Sequence, residues 1–163
     1  MLKEGDKLPS FTLTDQNGEK KKLKDLTGEN GLVLYVYPKD DTPGCTIEAK
    51  GFTALAEKFN QAGVRVVGVS RDDAKSHKKF CDKYSLAVTL LSDPDGRFLE
   101  KLGALVEKKN ASGDTVVGVV RSTFLVSKGG TVKRAYPQVK AEGHAEEVLA
   151  EASTMQWSRC CAK

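Results

Sequence analysis

The chain has 163 residues, of which 39% are hydrophobic and 29% charged, and its formal net charge is +4. That is enough apolar material for a single domain with its own core, without disulfide or metal staples. Lysines and acids are interleaved along the chain, which excludes the basic block of a nucleic-acid binder, and no apolar run approaches the ~18 residues of a membrane span.

The N-terminal Met1-Leu2-Lys3-Glu4-Gly5-Asp6 is polar and lacks the apolar segment of a signal peptide, so a cytoplasmic location is expected. Ser10 to Leu26 alternates through Phe11-Thr12-Leu13-Thr14, turns at Asp15-Gln16-Asn17-Gly18 and continues into a lysine-rich arm. This is the pattern of an N-terminal β-hairpin around an Asn-Gly turn. Gly31 to Tyr37 is apolar, β-branched and aromatic, as a buried strand should be, and Pro38 ends it. A helix is predicted from about Thr42 to Gln61, with Thr42 as N-cap, Pro43 in the first turn, and Phe52, Leu55, Ala56 and Phe59 on one face. Gly63 breaks it, and Val64 to Val69 is a second buried strand, which completes a βαβ unit with parallel, right-handed pairing.

Ser70-Arg71-Asp72-Asp73 offers helix caps for a short helix from Ala74 to Tyr84, which carries Phe80, Cys81 and Tyr84 on one side. Val88 to Leu91 is a strand, Ser92-Asp93-Pro94-Asp95-Gly96 a turn, and Phe98, Leu99 and Leu102 a brief helix that Gly103 ends. Glu107 to Asp114 is the most polar stretch and is expected to be a surface loop. Val116 to Val120, Ser122 to Val126 and Thr131 to Tyr136 are strand-like, the last two an antiparallel pair joined at Gly129-Gly130, and Gly143 to about Met155 is a final helix. The simplest packing is α/β: one mixed central sheet flanked by helices, with the hairpin at the N-terminus.

The chemistry concentrates at Cys45. It follows the polar turn Asp40-Asp41-Thr42-Pro43-Gly44 at the carboxyl end of a strand, where open α/β sheets bind ligands. In the first turn of a helix the unpaired N–H groups and the positive end of the dipole favour a thiolate over a thiol. A buried structural cysteine is the alternative reading. Further stabilisation needs a fixed cation, and Arg121, among apolar neighbours in Val119-Val120-Arg121-Ser122-Thr123, is the best candidate; its alternative is an edge-strand surface arginine. The Thr42 hydroxyl can cap the helix, bind a substrate oxygen, or both.

These residues match a family. Pro38-x-x-x-Thr42-x-x-Cys45, between a strand and a helix and with Arg121 downstream, resembles the signature of peroxiredoxins, and Tyr37-Pro38-Lys39-Asp40-Asp41-Thr42-Pro43-Gly44-Cys45-Thr46-x-Glu48 resembles the bacterioferritin-comigratory, or Q-type, branch. The resemblance covers nearly the whole chain. It implies a thioredoxin-like fold over residues 1–163 as one domain, with 156–163 a flexible tail. It implies a thiol-dependent peroxidase with no cofactor or metal, acting on hydrogen peroxide and alkyl hydroperoxides and recycled by thioredoxin or a similar dithiol. Cys45 would be the peroxidatic cysteine, with Pro38, Thr42 and Arg121 shaping its pocket, Gly44 contributing to substrate binding, and Glu48 either orienting Arg121 or simply exposed on its helix.

Many Q-type relatives carry a resolving cysteine five residues after the peroxidatic one, and here that position is Lys50. Another branch resolves from the next helix, which makes Cys81 the implied resolving cysteine, with a plain core cysteine as the alternative. A first-turn thiol and a mid-helix thiol are not expected within the ~7 Å Cα separation that a disulfide tolerates, so local unfolding is expected on oxidation. An intrachain partner implies a monomer. Cys160 and Cys161 read as exposed tail thiols or a back-up pair. His77 and Cys81 share i, i+4 spacing but are too few for a metal site, and His144 is expected at the surface. A non-enzymatic redox sensor or holdase is the other function class that fits a reactive Cys45. A disulfide oxidoreductase is disfavoured, because Glu48 occupies the second position of any Cys-x-x-Cys.

Overall fold

The computed structural model describes residues 1–109 and 111–155. In chain order the elements are β1 (Leu13–Thr14), β2 (Lys20–Lys21), α1 (Leu23–Leu26), β3 (Gly31–Val36), α2 (Pro43–Ala54), α3 (Ala56–Gln61), β4 (Val64–Ser70) and α4 (Ala74–Tyr84). They continue as β5 (Thr89–Ser92), α5 (Arg97–Leu102), β6 (Leu105–Lys109), β7 (Thr115–Val119), β8 (Ser122–Ser127), β9 (Val132–Tyr136) and α6 (His144–Thr154). The main sheet has seven strands in the order β2-β1-β5-β4-β3-β8-β9. Its centre is parallel, β3 to β4 and β4 to β5, and β8, β9 and the N-terminal hairpin add antiparallel strands.

The period-2 alternation of β3 sorts its side chains to two cores. Val33, Tyr35 and Tyr37 face a cluster with Phe52, Phe59, Phe80, Cys81 and Val148, which α2, α3, α4 and α6 cover. Leu32, Leu34 and Val36 face a second cluster with Leu26, Phe98, Leu99 and Leu102, which α1 and α5 help to cover. Burial on both faces explains why β3 reads as one unbroken apolar run. Both Cys45 and Cys81 lie in the first cluster, so one face of the sheet carries the two thiols.

Four local readings need correction. The helix expected from Thr42 to Gln61 is two helices, because Leu55 leaves the helical region (φ −105, ψ 7). Glu107 to Asp114 is not a loop throughout: β6 runs to Lys109 and pairs antiparallel with β7. The residues of that hairpin whose burial is described are all partly or fully exposed, so no buried face among them imprints an alternation on the sequence. The lysine-rich arm contains the short helix α1, whose Asp25 carboxylate accepts from the Lys22 N–H. His144 is buried, not on the surface: its Nε2 lies 2.8 Å from Thr123 Oγ1, its Nδ1 lies 3.2 Å from Glu147 Oε1, and its ring stands edge-on to Phe52 and Tyr136. Burial holds that imidazole below its ordinary range, with Glu147 pulling the other way. The tail cysteines Cys160 and Cys161, and the flexible tail expected over 156–163, lie outside the described residues.

Candidate active site

Cys45 is the third residue of α2, which starts at Pro43 directly after the turn that leaves β3. At that place Gly44 and Cys45 have no intrahelical acceptor for their N–H groups, and Thr46 makes the first bond, to the Thr42 carbonyl at 2.8 Å. Strand register brings the cation. Val36 of β3 pairs with Ser122 of β8, so Arg121, just before β8, sits beside the carboxyl end of β3 where the chain departs for Cys45. Arg121 Nη2 donates to Cys45 Sγ at 3.3 Å, and Nη1 donates to Glu48 Oε1 at 2.7 Å. The guanidinium is therefore fixed between two groups one helical turn apart on α2.

The electrostatics follow from burial. Glu48 is fully buried, which raises its carboxyl to about 7 against the opposing pull of Arg121. Burial pulls Arg121 down, but the charges of Cys45 and Glu48 outweigh it and hold the guanidinium above its usual range. Cys45 itself is 1% exposed. The Cys45 sulfur is thus buried in the first turn of a helix and accepts from a charged donor.

The remaining expected residues are close by, with changed duties. Thr42 has the extended backbone of an N-cap, but its side chain does not cap: Oγ1 donates to the Lys39 carbonyl at 2.9 Å. With that proton committed, the hydroxyl faces a ligand as an acceptor. A β-carbon at Gly44 would lie 2.9 Å from Arg121 Nη2, so only glycine leaves the guanidinium its path to the sulfur. Pro38 is exposed, and with Val106, Val119, Val120, Arg121 and Val139 it lines a cleft of about 620 Å³ that leads to the guanidinium.

Residues 4–135 match the AhpC/TSA family. The chain is 46% identical over 145 residues to the peroxiredoxin bcp of Coxiella burnetii, covering 89% of this chain and 95% of that one. It is 39% identical over 148 residues to peroxiredoxin Bcp of Escherichia coli, covering 91% and 94%. Among solved structures, peroxiredoxin Q of Xanthomonas campestris superposes with a TM-score of 0.81 at 44% identity, over 87% of this chain and 89% of that one. The chain belongs to the AhpC/TSA family, within the Bcp, or Q-type, peroxiredoxins. As a peroxiredoxin it is a thiol-dependent peroxidase on a thioredoxin-like fold.

This peroxiredoxin carries Cys81 on the side of α4 that packs into the core, 8% exposed, as a free thiol like Cys45. Burial, and after it the charge of Asp40, push the Cys81 thiol up to about 11. Lys50, at the alternative resolving position, is exposed, and its Nζ lies 4.8 Å over the Tyr84 ring.

Sequence reasoning missed the group that joins the Cys45 loop to α4. Asp40, 7% exposed, accepts from Tyr37 Oη at 2.6 Å and from Ser76 Oγ at 2.7 Å, and lies 2.7 Å from His77 Nδ1. Asp72 Oδ2 accepts from the Asp40 N–H and from Ser70 Oγ. Asp40, Asp72 and His77 lie near enough together to hold a cation, and Asp40 and His77 already hydrogen-bond each other. The polar run Asp40-Asp41 after an apolar strand is the available signal, and by itself it marks only a polar turn. Apart from Tyr37, the partners of Asp40 lie more than thirty positions away, which no local pattern reports.

Proposed function

We propose that this enzyme reduces hydrogen peroxide and alkyl hydroperoxides at Cys45, resolves the product with Cys81 as an intrachain disulfide, and is recycled by thioredoxin or a similar dithiol. The single observation that carries the first step is the fork of Arg121, one arm on Cys45 Sγ and the other on buried Glu48. The thiolate attacks the near oxygen of the peroxide: an S–O bond forms, the O–O bond breaks, sulfur loses two electrons, and the leaving oxygen takes a proton as water or alcohol. Arg121 and the first-turn N–H groups stabilise the charge that moves onto the leaving oxygen, and Glu48 keeps the guanidinium oriented. Thr42 Oγ1 accepts a hydrogen bond from the hydroperoxide O–H and so aligns the two oxygens.

The alkyl substrates gain support from a relative. A structure of the bacterioferritin comigratory protein of Xanthomonas campestris, 40% identical with a TM-score of 0.81 over 94% of this chain, was described for its alkyl peroxide reduction activity. The apolar wall of the 620 Å³ cleft beside Arg121 suits such chains. The reading takes 1–163 as one domain working as a monomer, since Cys81 needs no second subunit, and in the cytoplasm, where buried thiols stay reduced. The test is peroxide consumption with peptide mass spectrometry. Cys45→Ser should abolish turnover, and the oxidised wild-type chain should yield a Cys45–Cys81 link; turnover that persists in Cys45→Ser rejects the mechanism.

A further inference from the structure

We propose that Asp40 is a positioning residue for the resolving step: through His77 it fastens the Cys45 loop to the helix that carries Cys81, and its release sets how fast the disulfide forms. The inference rests on the reading that Cys81 resolves.

His77 is wholly buried, and both ring nitrogens face acceptors, Nδ1 the Asp40 carboxylate at 2.7 Å and Nε2 the Leu91 carbonyl at 2.9 Å. Tyr37 Oη also lies 3.3 Å from Nδ1, so phenol, carboxylate and imidazole form one buried network. Asp40 closes a buried hydrogen bond across 37 residues of chain, with Tyr37 and Ser76 as further donors to the same carboxylate. The next residue grips the other end of α4. Asp41 adopts a left-handed backbone (φ 57), and its carboxylate accepts from Lys83 Nζ and Tyr84 Oη, each at 2.7 Å. On α4, Ser76 and His77 precede Cys81, while Lys83 and Tyr84 follow it. Two consecutive loop residues, four and five places before Cys45, therefore clamp the Cys81 helix on both sides of its thiol.

In the resolving step Cys81 Sγ gives up its proton and attacks the sulfur of the Cys45 sulfenic acid. The S–S bond forms, the S–O bond breaks, and hydroxide leaves with the proton as water. Each sulfur begins buried as a free thiol in its own helix, and in this proposal α4 or the start of α2 lets go as the two meet. While the clamp is closed, burial and the Asp40 charge also keep Cys81 a thiol. The clamp holds the peroxide site together for the first step and delays the second. A delayed sulfenic acid meets a second peroxide and becomes sulfinic acid.

The test uses the full chain, reduced and then mixed with graded hydrogen peroxide. Mass spectrometry gives the concentration at which Cys45 divides equally between disulfide and sulfinic acid. Asp40→Asn keeps the shape and removes the carboxylate that faces His77, and Asp41→Asn tolerates the left-handed backbone. Loss of a buried hydrogen bond predicts a rise of about tenfold in that concentration for Asp40→Asn, and loss of an exposed pair a rise of about threefold for Asp41→Asn. Faster hydrogen exchange in α4, but not in α6, should accompany both. A merely structural role predicts losses, not greater resistance to overoxidation. An unchanged or lower concentration in both variants overturns the proposal, and if Asp40→Asn does not fold, Asp41→Asn alone decides. A wild-type disulfide that lacks Cys81 overturns the resolving reading, and this clamp with it, whatever the variants show.

Discussion

Glu48 and Arg121 meet at 2.7 Å across 73 residues of chain, with the carboxylate completely buried and the guanidinium side chain 17% exposed. One arm of the arginine is thereby spent on holding the other against Cys45. The pair is an orienting device, and its energetic value lies in geometry rather than in net charge.

Replacement of Arg121 by lysine should show this. A single ammonium cannot serve Glu48 and Cys45 in a fixed fork, and the loss of one preorganised donor to a developing charge costs about 10²–10³ in rate. Stopped-flow measurement of peroxide reduction by Arg121→Lys is expected to fall by about that factor while the thermal midpoint changes little.

Glu48 should make stability depend on pH. Its carboxyl ordinarily titrates at 4.5 and is raised by burial to about 7 in the fold. Between those values the folded chain holds a proton that the unfolded chain has lost, so stability is greatest below the lower value and falls as pH rises through the window. The full change is about 3 kcal/mol. Denaturant midpoints measured across this range should decline for the wild type and stay flatter for Glu48→Gln.

Gly44→Ala should damage the site without touching a reacting atom. Its new methyl group would sit 2.9 Å from Arg121 Nη2 and push the guanidinium off the sulfur. Loss of a charge-assisted hydrogen bond corresponds to a drop of about 10- to 100-fold in the rate of peroxide reduction. A rate within twofold of the wild type would show that Arg121 reaches Cys45 by another path.

Cys81 should be quiet in the reduced protein. With its thiol raised to about 11, on the order of 0.1% is thiolate at pH 8. Alkylation by iodoacetamide at that pH should therefore be at least about 10²-fold slower at Cys81 than at an unfolded-chain cysteine, and denaturant should abolish the difference. Equal labelling in native and unfolded protein would count against the buried environment.

The sequence by itself determined the parts of this protein that are local. An apolar run that ends at Pro38, a first-turn Pro43 and the position of Cys45 three residues after Thr42 place a thiol at a helix start, because strand and helix periods and proline geometry act over a few residues. The tertiary structure decided which groups that thiol meets. Glu48 was as consistent with an exposed helix face as with a buried partner, and Arg121 with a surface strand, until the pairing of β3 with β8 brought them together. Asp40 and Asp41 are legible only as members of a polar turn, His77 as half of a weak metal pair and His144 as surface, yet three of these four are buried. The hairpin of β6 and β7 was half hidden for the opposite reason, since an exposed ladder leaves no alternation to read. A buried ion pair or a clamp between helices depends on which distant residues the sheet order makes neighbours, and that order is a property of the packed chain rather than of any stretch within it.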